Sequence, residues 1–361
     1  MVGMRDVAKE AGVSLSTVSL VVNKTGYVSD DMRARVKAAM KELNYVPNEL
    51  ARNLYKNRTN LVGVIVPTIR HPFFATLTAH LQRELAAQGL RTMLCSTADA
   101  ENGEVEYVDM LRRHMMDGII VCSHTTHPND YWTSIHRPIV AFDRVLGGGI
   151  ASIGSDHEQG GRLMAHMLVN TGAHHVVMIG GPRDQFFDLA ARNGDSPDDF
   201  DLHKTTFPTV RYYLALEQEL KAAGVRYEYV EAGNVEDLQG YKNAVNAVLN
   251  SMPVDGVDAV VSSDIGAALC VREAMRRHIS IPRDLQIIAY DGTYLTDLAG
   301  MKMTAVAQNF DKIAQVAVGN IVRAIAKEGD AKADATSATG RKPYEPDVLI
   351  PVTRKLGDTT R

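Results

Sequence analysis

From Leu61 onward, short runs rich in β-branched residues alternate with amphipathic stretches, and this alternation limits the folds open to the chain more than any other feature. The runs are Leu61–Val66, Arg91–Ser96, Gly118–Cys122, Pro138–Phe142, Ala151–Gly154, His175–Gly180, Arg226–Glu231, Val257–Ser262, Leu285–Tyr290, Met303–Gln308 and Asp347–Val352. Helical spacing of apolar residues recurs between them, over Phe73–Gln88, Glu104–Met115, Gly160–Asn170, Arg211–Ala223, Asp237–Leu249, Ile265–Arg277 and Phe310–Lys327. Strands separated by helices need crossover connections, so the pattern predicts an α/β body with parallel sheet. A body of about 300 residues exceeds what one core usually holds, which predicts two doubly wound subdomains.

Residues 1–58 read differently. Met4, Val7, Ala8 and Ala11 recur at helical spacing, and Gly12 permits a sharp turn after them. Ser14 is an N-cap for a second helix reaching about Val22, with Val18, Val21 and Val22 on its apolar side. Ser29 can cap a third, with Met32, Val36, Ala39, Met40 and Leu43 on one face. Helix, tight turn, helix and supporting helix is the outline of an all-α helix-turn-helix head. At 100° per residue, Ser16, Ser19, Leu20 and Asn23 lie opposite the valines. A lone exposed leucine is ordinary, but on a recognition helix Leu20 suits a thymine methyl in the major groove. Pro47 to Leu54 has the start of a further short helix, with Leu50 and Leu54 four apart. Eight or so residues do not hold a helix alone in water, so this one is expected to form only against a partner.

Charge separates the same two parts. The total of −4 argues against nucleic acid on its face. Residues 1–58 nevertheless hold ten Lys and Arg against six acids, and the remainder holds 29 against 37. A basic head therefore sits on an acidic body. The three cysteines are far apart with no C-x-x-C, which supports neither a disulfide framework nor a zinc knuckle. The start lacks the apolar core of a signal peptide, and no run approaches membrane-spanning length, so a cytoplasmic protein is expected. Phosphate-loop, dinucleotide-loop and G-x-S-x-G patterns are missing, so no enzyme and no cofactor are expected. His124 and His127 have the spacing of some metal ligands, but the segment reads as loop, and no metal is expected there.

Asp6-Val7-Ala8-Lys9-Glu10-Ala11-Gly12-Val13-Ser14, Ser16-Thr17-Val18-Ser19, Val21-Val22-Asn23 and Leu43-Asn44-Tyr45-Val46-Pro47-Asn48 resemble the start of the LacI/GalR family of bacterial transcription regulators. The resemblance implies that Leu15, Ser16 and Leu20 read major-groove bases, while Thr17, Ser19, Asn23 and Tyr27 lie at or near the DNA backbone. It implies a hinge helix over Asn48–Leu54 in the minor groove, with Leu54 wedged between base steps and Ala51 close by. Many members carry Arg where this chain has Leu20, which implies a less electrostatic readout. The implied organisation is a helix-turn-helix domain over 1–46, a hinge over 47–58 and an effector-binding, dimerising body over 60–361 of periplasmic-binding-protein type. Its first lobe spans about 60–157 and 308–335, and its second about 158–307 and 340–355, with the final helix returning to the first lobe and the last strand to the second.

Ligands of doubly wound sheets gather beyond the carboxyl ends of the strands. Phe73 and Phe74 follow the first run, Asp143 and Arg144 the fourth, Asp264 the run ending at Ser262, and Asp291 the run ending at Tyr290. Carboxylates accept paired hydrogen bonds from vicinal hydroxyls and rings stack on apolar sugar faces, so the set suits a carbohydrate. Read singly, Asp264 and Asp156 could be plain N-caps, and the two phenylalanines could be core. The resemblance implies effector contact for Asp291 in Ala289-Tyr290-Asp291-Gly292-Thr293, for Arg211 as a ligand clamp, and for Phe142-Asp143 and Gln308-Asn309-Phe310 at the cleft. Two departures stand out: a long polar insertion, Arg183–Pro208, precedes Arg211, and Val235 stands where many sugar-responsive members have an aromatic ring. The Tyr290-Asp291-Gly292-Thr293 string is similar to the sucrose-operon branch. The expected partners are a pseudo-palindromic double-stranded operator, a sugar or sugar phosphate and a second copy of the chain. A global catabolite regulator answering to a phosphoprotein, and a cytosolic carbohydrate-binding protein with a vestigial head, are the alternatives.

Overall fold

The computed structural model describes residues 2–47, 58–98, 100–125, 127–186, 205–234, 237–329 and 347–361. Two compact units divide the chain, Met1–Asn60 and Leu61–Arg361.

The first unit holds α1 (Met4–Ala11), α2 (Leu15–Asn23) and α3 (Asp30–Glu42). Gly12 sits at φ 61°, the left-handed conformation that closes α1. The guanidinium of Arg35, on α3, donates to Ala11 O at 2.6 Å and to Gly12 O at 2.9 Å. A cation thus meets the carbonyl end of α1, where the helix dipole favours it. Ser14 and Ser29 cap the next two helices, accepting from Thr17 N at 3.1 Å and Met32 N at 3.4 Å. Val7, Val18 and Val36, one from each helix, are completely buried and form the centre of the core.

The second unit is built on two six-stranded sheets. In the first, β1 (Leu61–Val66), β2 (Arg91–Ser96), β3 (Gly118–Val121), β4 (Ile139–Phe142), β5 (Ala151–Ser155) and β11 (Val348–Ile350) lie in the order β11-β5-β4-β3-β1-β2, all parallel. In the second, β6 (His175–Gly180), β7 (Arg226–Glu231), β8 (Ala259–Ser263), β9 (Gln286–Asp291), β10 (Thr304–Ala307) and β12 (Thr353–Lys355) lie in the order β12-β10-β9-β8-β6-β7. Only β12 of these runs antiparallel, against β10. The central strands are buried on both faces, as parallel sheets covered by helices require. The helix Phe310–Gly329 returns to the first lobe, where Ile313, Ala317 and Ile321 pack with Leu77 and Leu81 of the helix Pro72–Ala87.

The run Asp347–Val352 is not one strand of the second lobe. Val348–Ile350 pairs with β5 in the first sheet, and a separate strand, Thr353–Lys355, joins the second. Pro351 lies between them and has no N–H to continue a ladder, so the chain leaves one sheet there and enters the other. Among the described residues the chain therefore passes between lobes three times, at Ser155–His157, at Gln308–Asn309 and at Pro351–Val352. The passages are laced together: Asp156 N donates to Ile350 O at 2.8 Å, and Val352 N donates to Gln159 Oε1 at 2.9 Å.

Helix starts differ from the sequence pattern where they matter for the cleft. One helix opens at His157 rather than Gly160, because the Asp156 side chain caps it by accepting from Gln159 N at 2.9 Å. Another opens at Pro208 rather than Arg211, with proline at the position that needs no N–H donor. A third runs past Leu249 to Asp255 with Pro253 inside its last turn, and Gly256 at φ 69° ends it. None of the described helices is long and apolar enough to cross a membrane.

Candidate functional site

In the head, α2 carries its polar side chains on the face away from the core valines. Ser14 Oγ lies 2.7 Å from Ser16 Oγ and 2.8 Å from Thr17 Oγ1, and Asn23 Nδ2 donates to Ser19 Oγ at 3.1 Å. Leu15 and Ser16 are exposed, and the Tyr27 ring is 92% exposed. Leu20 is half-buried: its side chain packs on the head core and sits against Gly26, whose missing Cβ leaves it room. Part of this leucine is thus committed to the fold and part remains on the surface of α2. Asn48, Ala51 and Leu54 lie outside the described residues.

In the body, a cavity of about 430 Å³ lies between the carboxyl ends of the two sheets. Of the sequence candidates, Phe73, Phe74, Phe142, Asp143, Arg144, Asp291 and Gln308 line it together. Phe73 and Phe74 meet edge to face at 5.0 Å, and Phe73 packs on Phe142 and Phe310. Asp143 directly follows β4 and Asp291 ends β9, both at positive φ, 51° and 109°. Such backbone costs a non-glycine residue about 1 kcal/mol or more, and fixed partners hold it there. Asp143 accepts from Ser155 N at 3.0 Å and meets His157 Nε2 at 3.1 Å. Asp291 accepts from Gln308 Nε2 at 2.8 Å. Burial, with Asp264 and Asp143 nearby, pushes the Asp291 carboxyl well above the usual carboxylate range.

Three candidates fall elsewhere. Phe310 is buried beside Phe73 and His80, supporting the wall without lining the cavity. Asp264 is completely buried and turns back on its own lobe, accepting from Gly292 N at 3.2 Å and Thr293 N at 2.6 Å. It pins the loop that follows Asp291, and burial pushes its carboxyl up to about 6. Arg211 sits in the first turn of the helix Pro208–Ala222, but the face of that turn toward the cavity is Pro208, Thr209, Tyr212 and Tyr213. Residues at i, i+1, i+4 and i+5 share a helix face, and i+3 falls on its margin.

The sequence pattern does not single out several of the lining groups. Tyr212 and Tyr290 stack at 3.9 Å with 13° between planes, forming an aromatic floor from the second lobe. His124 of the first lobe stacks at 3.9 Å on Phe207 of the second. His71 caps its helix by accepting from Phe73 N at 3.3 Å, and burial holds its imidazole down at about 4, so it is neutral near pH 7. Tyr212 and Tyr213 stood beside a helix-opening Pro208, which is the signal that could have found them. Arg144 donates to the backbone carbonyls Ser123 O at 3.1 Å and Asp143 O at 2.6 Å, bracing the main chain that carries Asp143. His127 stacks on Tyr131 at 4.1 Å, and among the described residues no group of three metal-ligating side chains occurs. Val235 and residues 187–204 of the insertion lie outside the described residues.

Comparison with known proteins agrees with this division. Residues 3–48 match the model of bacterial regulatory proteins, lacI family. Residues 59–194 match the periplasmic binding proteins and sugar binding domain of the LacI family, and residues 165–341 match a periplasmic binding protein-like domain. The sucrose operon repressor of Streptococcus mutans serotype c is 33% identical over 322 residues, covering 89% of this chain and 92% of that protein. The ribose operon repressor of Bacillus subtilis strain 168 is 33% identical over 293 residues, covering 81% and 82%. Among solved structures, the lac repressor dimer bound to operator and the anti-inducer ONPF superposes with a TM-score of 0.75 at 21% identity, over 99% of this chain and 98% of that one. A CelR–cellobiose complex gives 0.63 at 23% identity, over 99% and 100%. With a helix-turn-helix head, a two-lobed body with a cleft, and full-length relatives above 30% identity, the chain belongs to the lacI family of bacterial regulatory proteins and is a DNA-binding transcription regulator.

Proposed function

We propose that this regulator represses a carbohydrate-utilisation operon and leaves its operator when a sugar or sugar phosphate fills the cleft. The observation that carries the reading is the pairing of carboxylates with rings: Asp143 and Asp291 from opposite lobes face a cavity walled by Phe73, Phe74 and the stacked Tyr212–Tyr290 pair. Vicinal hydroxyls donate to carboxylates in pairs, and the apolar face of a sugar ring stacks on an aromatic one. A volume of about 430 Å³ is within the range of small-ligand sites.

Two copies related by a two-fold axis would place two α2 helices on a pseudo-palindromic operator, in the cytoplasm where the chromosome lies. Leu15, Ser16 and Leu20 would read bases, and Thr17, Ser19, Asn23 and Tyr27 would hold the backbone. The segment around Asn48, Ala51 and Leu54 would fold in the minor groove, paid by the bent duplex it creates. A sugar that changes the angle between lobes acts on that segment's marginal helix–coil balance. No catalysis and no cofactor enter this scheme. Sucrose and ribose are the first sugars to try, since similar proteins carry those names.

The test is a mobility shift on the gene's own upstream region, with and without candidate sugars. The reading expects one palindromic site, bound alone and released by a sugar. Binding to many genomic sites in a phosphoprotein-dependent way would favour a global regulator instead. No bound site under any condition would sink the reading. Leu54→Ala is expected to keep the dimer intact and weaken operator binding, and unchanged affinity would count against the wedge.

A further inference from the structure

The two cleft carboxylates are joined by a closed chain of hydrogen bonds that runs through two of the passages between lobes. Tyr290, next to Asp291 on β9, places its hydroxyl 2.7 Å from His157 Nδ1. His157 Nε2 lies 3.1 Å from Asp143 Oδ2. The other oxygen of Asp143 accepts from Ser155 N at 3.0 Å. Ser155 Oγ donates to Gln308 Oε1 at 2.5 Å, and Gln308 Nε2 donates to Asp291 Oδ1 at 2.8 Å. The circuit closes through the Tyr290–Asp291 peptide.

Donors and acceptors alternate without conflict around it. With Tyr290 O–H donating to Nδ1, His157 Nε2–H donates to Asp143. Ser155, His157, Tyr290, Asp291 and Gln308 are all nearly inaccessible, so water cannot replace a lost partner cheaply. Asp143 belongs to the first lobe and Tyr290–Asp291 to the second, while Ser155, His157 and Gln308 belong to the passages that bend when the lobes move. Protein hydrogen bonds keep donor and acceptor within about 3.2 Å and weaken steeply once the angle at hydrogen falls below about 120°, and a change of lobe angle alters both. The ring is therefore either made or broken as the lobe angle changes, and each carboxylate oxygen in it keeps a lone pair for a ligand hydroxyl.

We infer that this six-residue ring couples the cleft to the angle between the lobes: a ligand on Asp143 and Asp291 is read as a lobe angle because the same carboxylates anchor the passages. His157 and Ser155 act as positioning residues, holding Asp143 from two sides. The inference rests on the cleft being the effector site.

Two conservative variants test it. Tyr290→Phe keeps the ring stacked on Tyr212 and removes one hydroxyl; Ser155→Ala removes a hydroxyl that does not line the cavity. The first measurement is amide hydrogen exchange in the ligand-free protein, with thermal unfolding as the control for folding. In Tyr290→Phe the Ser155 amide, three bonds away along the ring, is expected to exchange about tenfold faster. An unchanged rate would mean that the two arms are independent and would overturn the ring. The second measurement is the ratio of operator affinities without and with sugar. Both variants are expected to cut that ratio about five- to tenfold while Ser155→Ala shifts the sugar Kd by less than about threefold. Loss of sugar affinity in step with loss of release would reduce the ring to an ordinary binding site. Should no sugar act on the wild-type protein, the operon reading fails, whereas the exchange result still decides the ring.

Discussion

The head and the cleft put functional surface together in opposite ways. The α2 face draws on residues within one helix, fixed by caps from Ser14 and a core of Val7, Val18 and Val36, and it stands open to solvent. The cleft draws on residues more than two hundred positions apart, from Phe73 to Gln308, and its polar groups are buried and tied to one another. A surface helix can change its reading by one exposed side chain at little cost to the fold. In the cleft Asp143 and Asp291 face the cavity and also hold the passages between the lobes, so a change at either carboxylate is expected to alter both cavity and lobe angle. That contrast suits a regulator in which one part recognises a fixed sequence and the other part moves.

The contrast can be broken first at the aromatic floor. Tyr212→Ala is expected to cost the body about 3 kcal/mol, because a fully buried ring stacked on Tyr290 leaves a cavity. Calorimetry should show the body transition falling while the head keeps its own unfolding. A parallel fall of both would mean that the two units do not fold separately. Next, Asp291→Ala is expected to weaken sugar binding by about 2–3 kcal/mol, the loss of buried hydrogen bonds in a dry site. Isothermal titration measures it, and an unchanged affinity would move the effector away from this carboxylate.

Asp264 gives a pH test on the cleft side alone. Its carboxyl is pushed up to about 6 by burial, against about 4 in an unfolded chain. Between those values the folded protein holds a proton on Asp264 that the unfolded chain has lost, so this carboxyl makes stability fall by about 3 kcal/mol as pH rises through the window, and the raised Asp291 carboxyl continues the fall above it. Asp264→Asn should flatten the slope between about pH 4 and 6, and identical slopes there in the two proteins would assign it elsewhere. The smallest effect lies in the head. Arg35→Met should cost about 1 kcal/mol of head stability by stripping the cation from the carbonyl end of α1, at a half-exposed site where solvent screens the gain.

How much was legible follows the same division. Gly12, Ser14 and Ser29 mark the three head helices because caps and turns are local chemistry, written within three or four residues. The wheel reading of Ser16, Ser19, Leu20 and Asn23 places a polar face, yet it cannot show that Leu20 leans on Gly26 across the following turn. In the body the alternation of strand and helix announces two parallel sheets. It does not announce that Pro351 splits the last run between them, since either half could extend its own ladder. Residues just past strand ends include Asp143 and Asp291, which line the cleft, and Asp264, which turns inward to two backbone N–H groups. Position along the strand is the same in all three, and the direction of the side chain is decided by contacts far away in sequence. His157 and Tyr212 stayed hidden for that reason: His157 sits where the chain enters the second lobe, and Tyr212 stacks on Tyr290 from a helix far away in sequence.

The central claim is that the cleft and the DNA-reading head share one coupling free energy. It is tested most directly by titrating the sugar into the protein alone and into the protein saturated with operator. Linkage requires that operator weaken sugar binding by the same factor by which sugar weakens operator binding. The account predicts that loss, at about ten- to hundredfold. Equal sugar affinity with and without operator would contradict it.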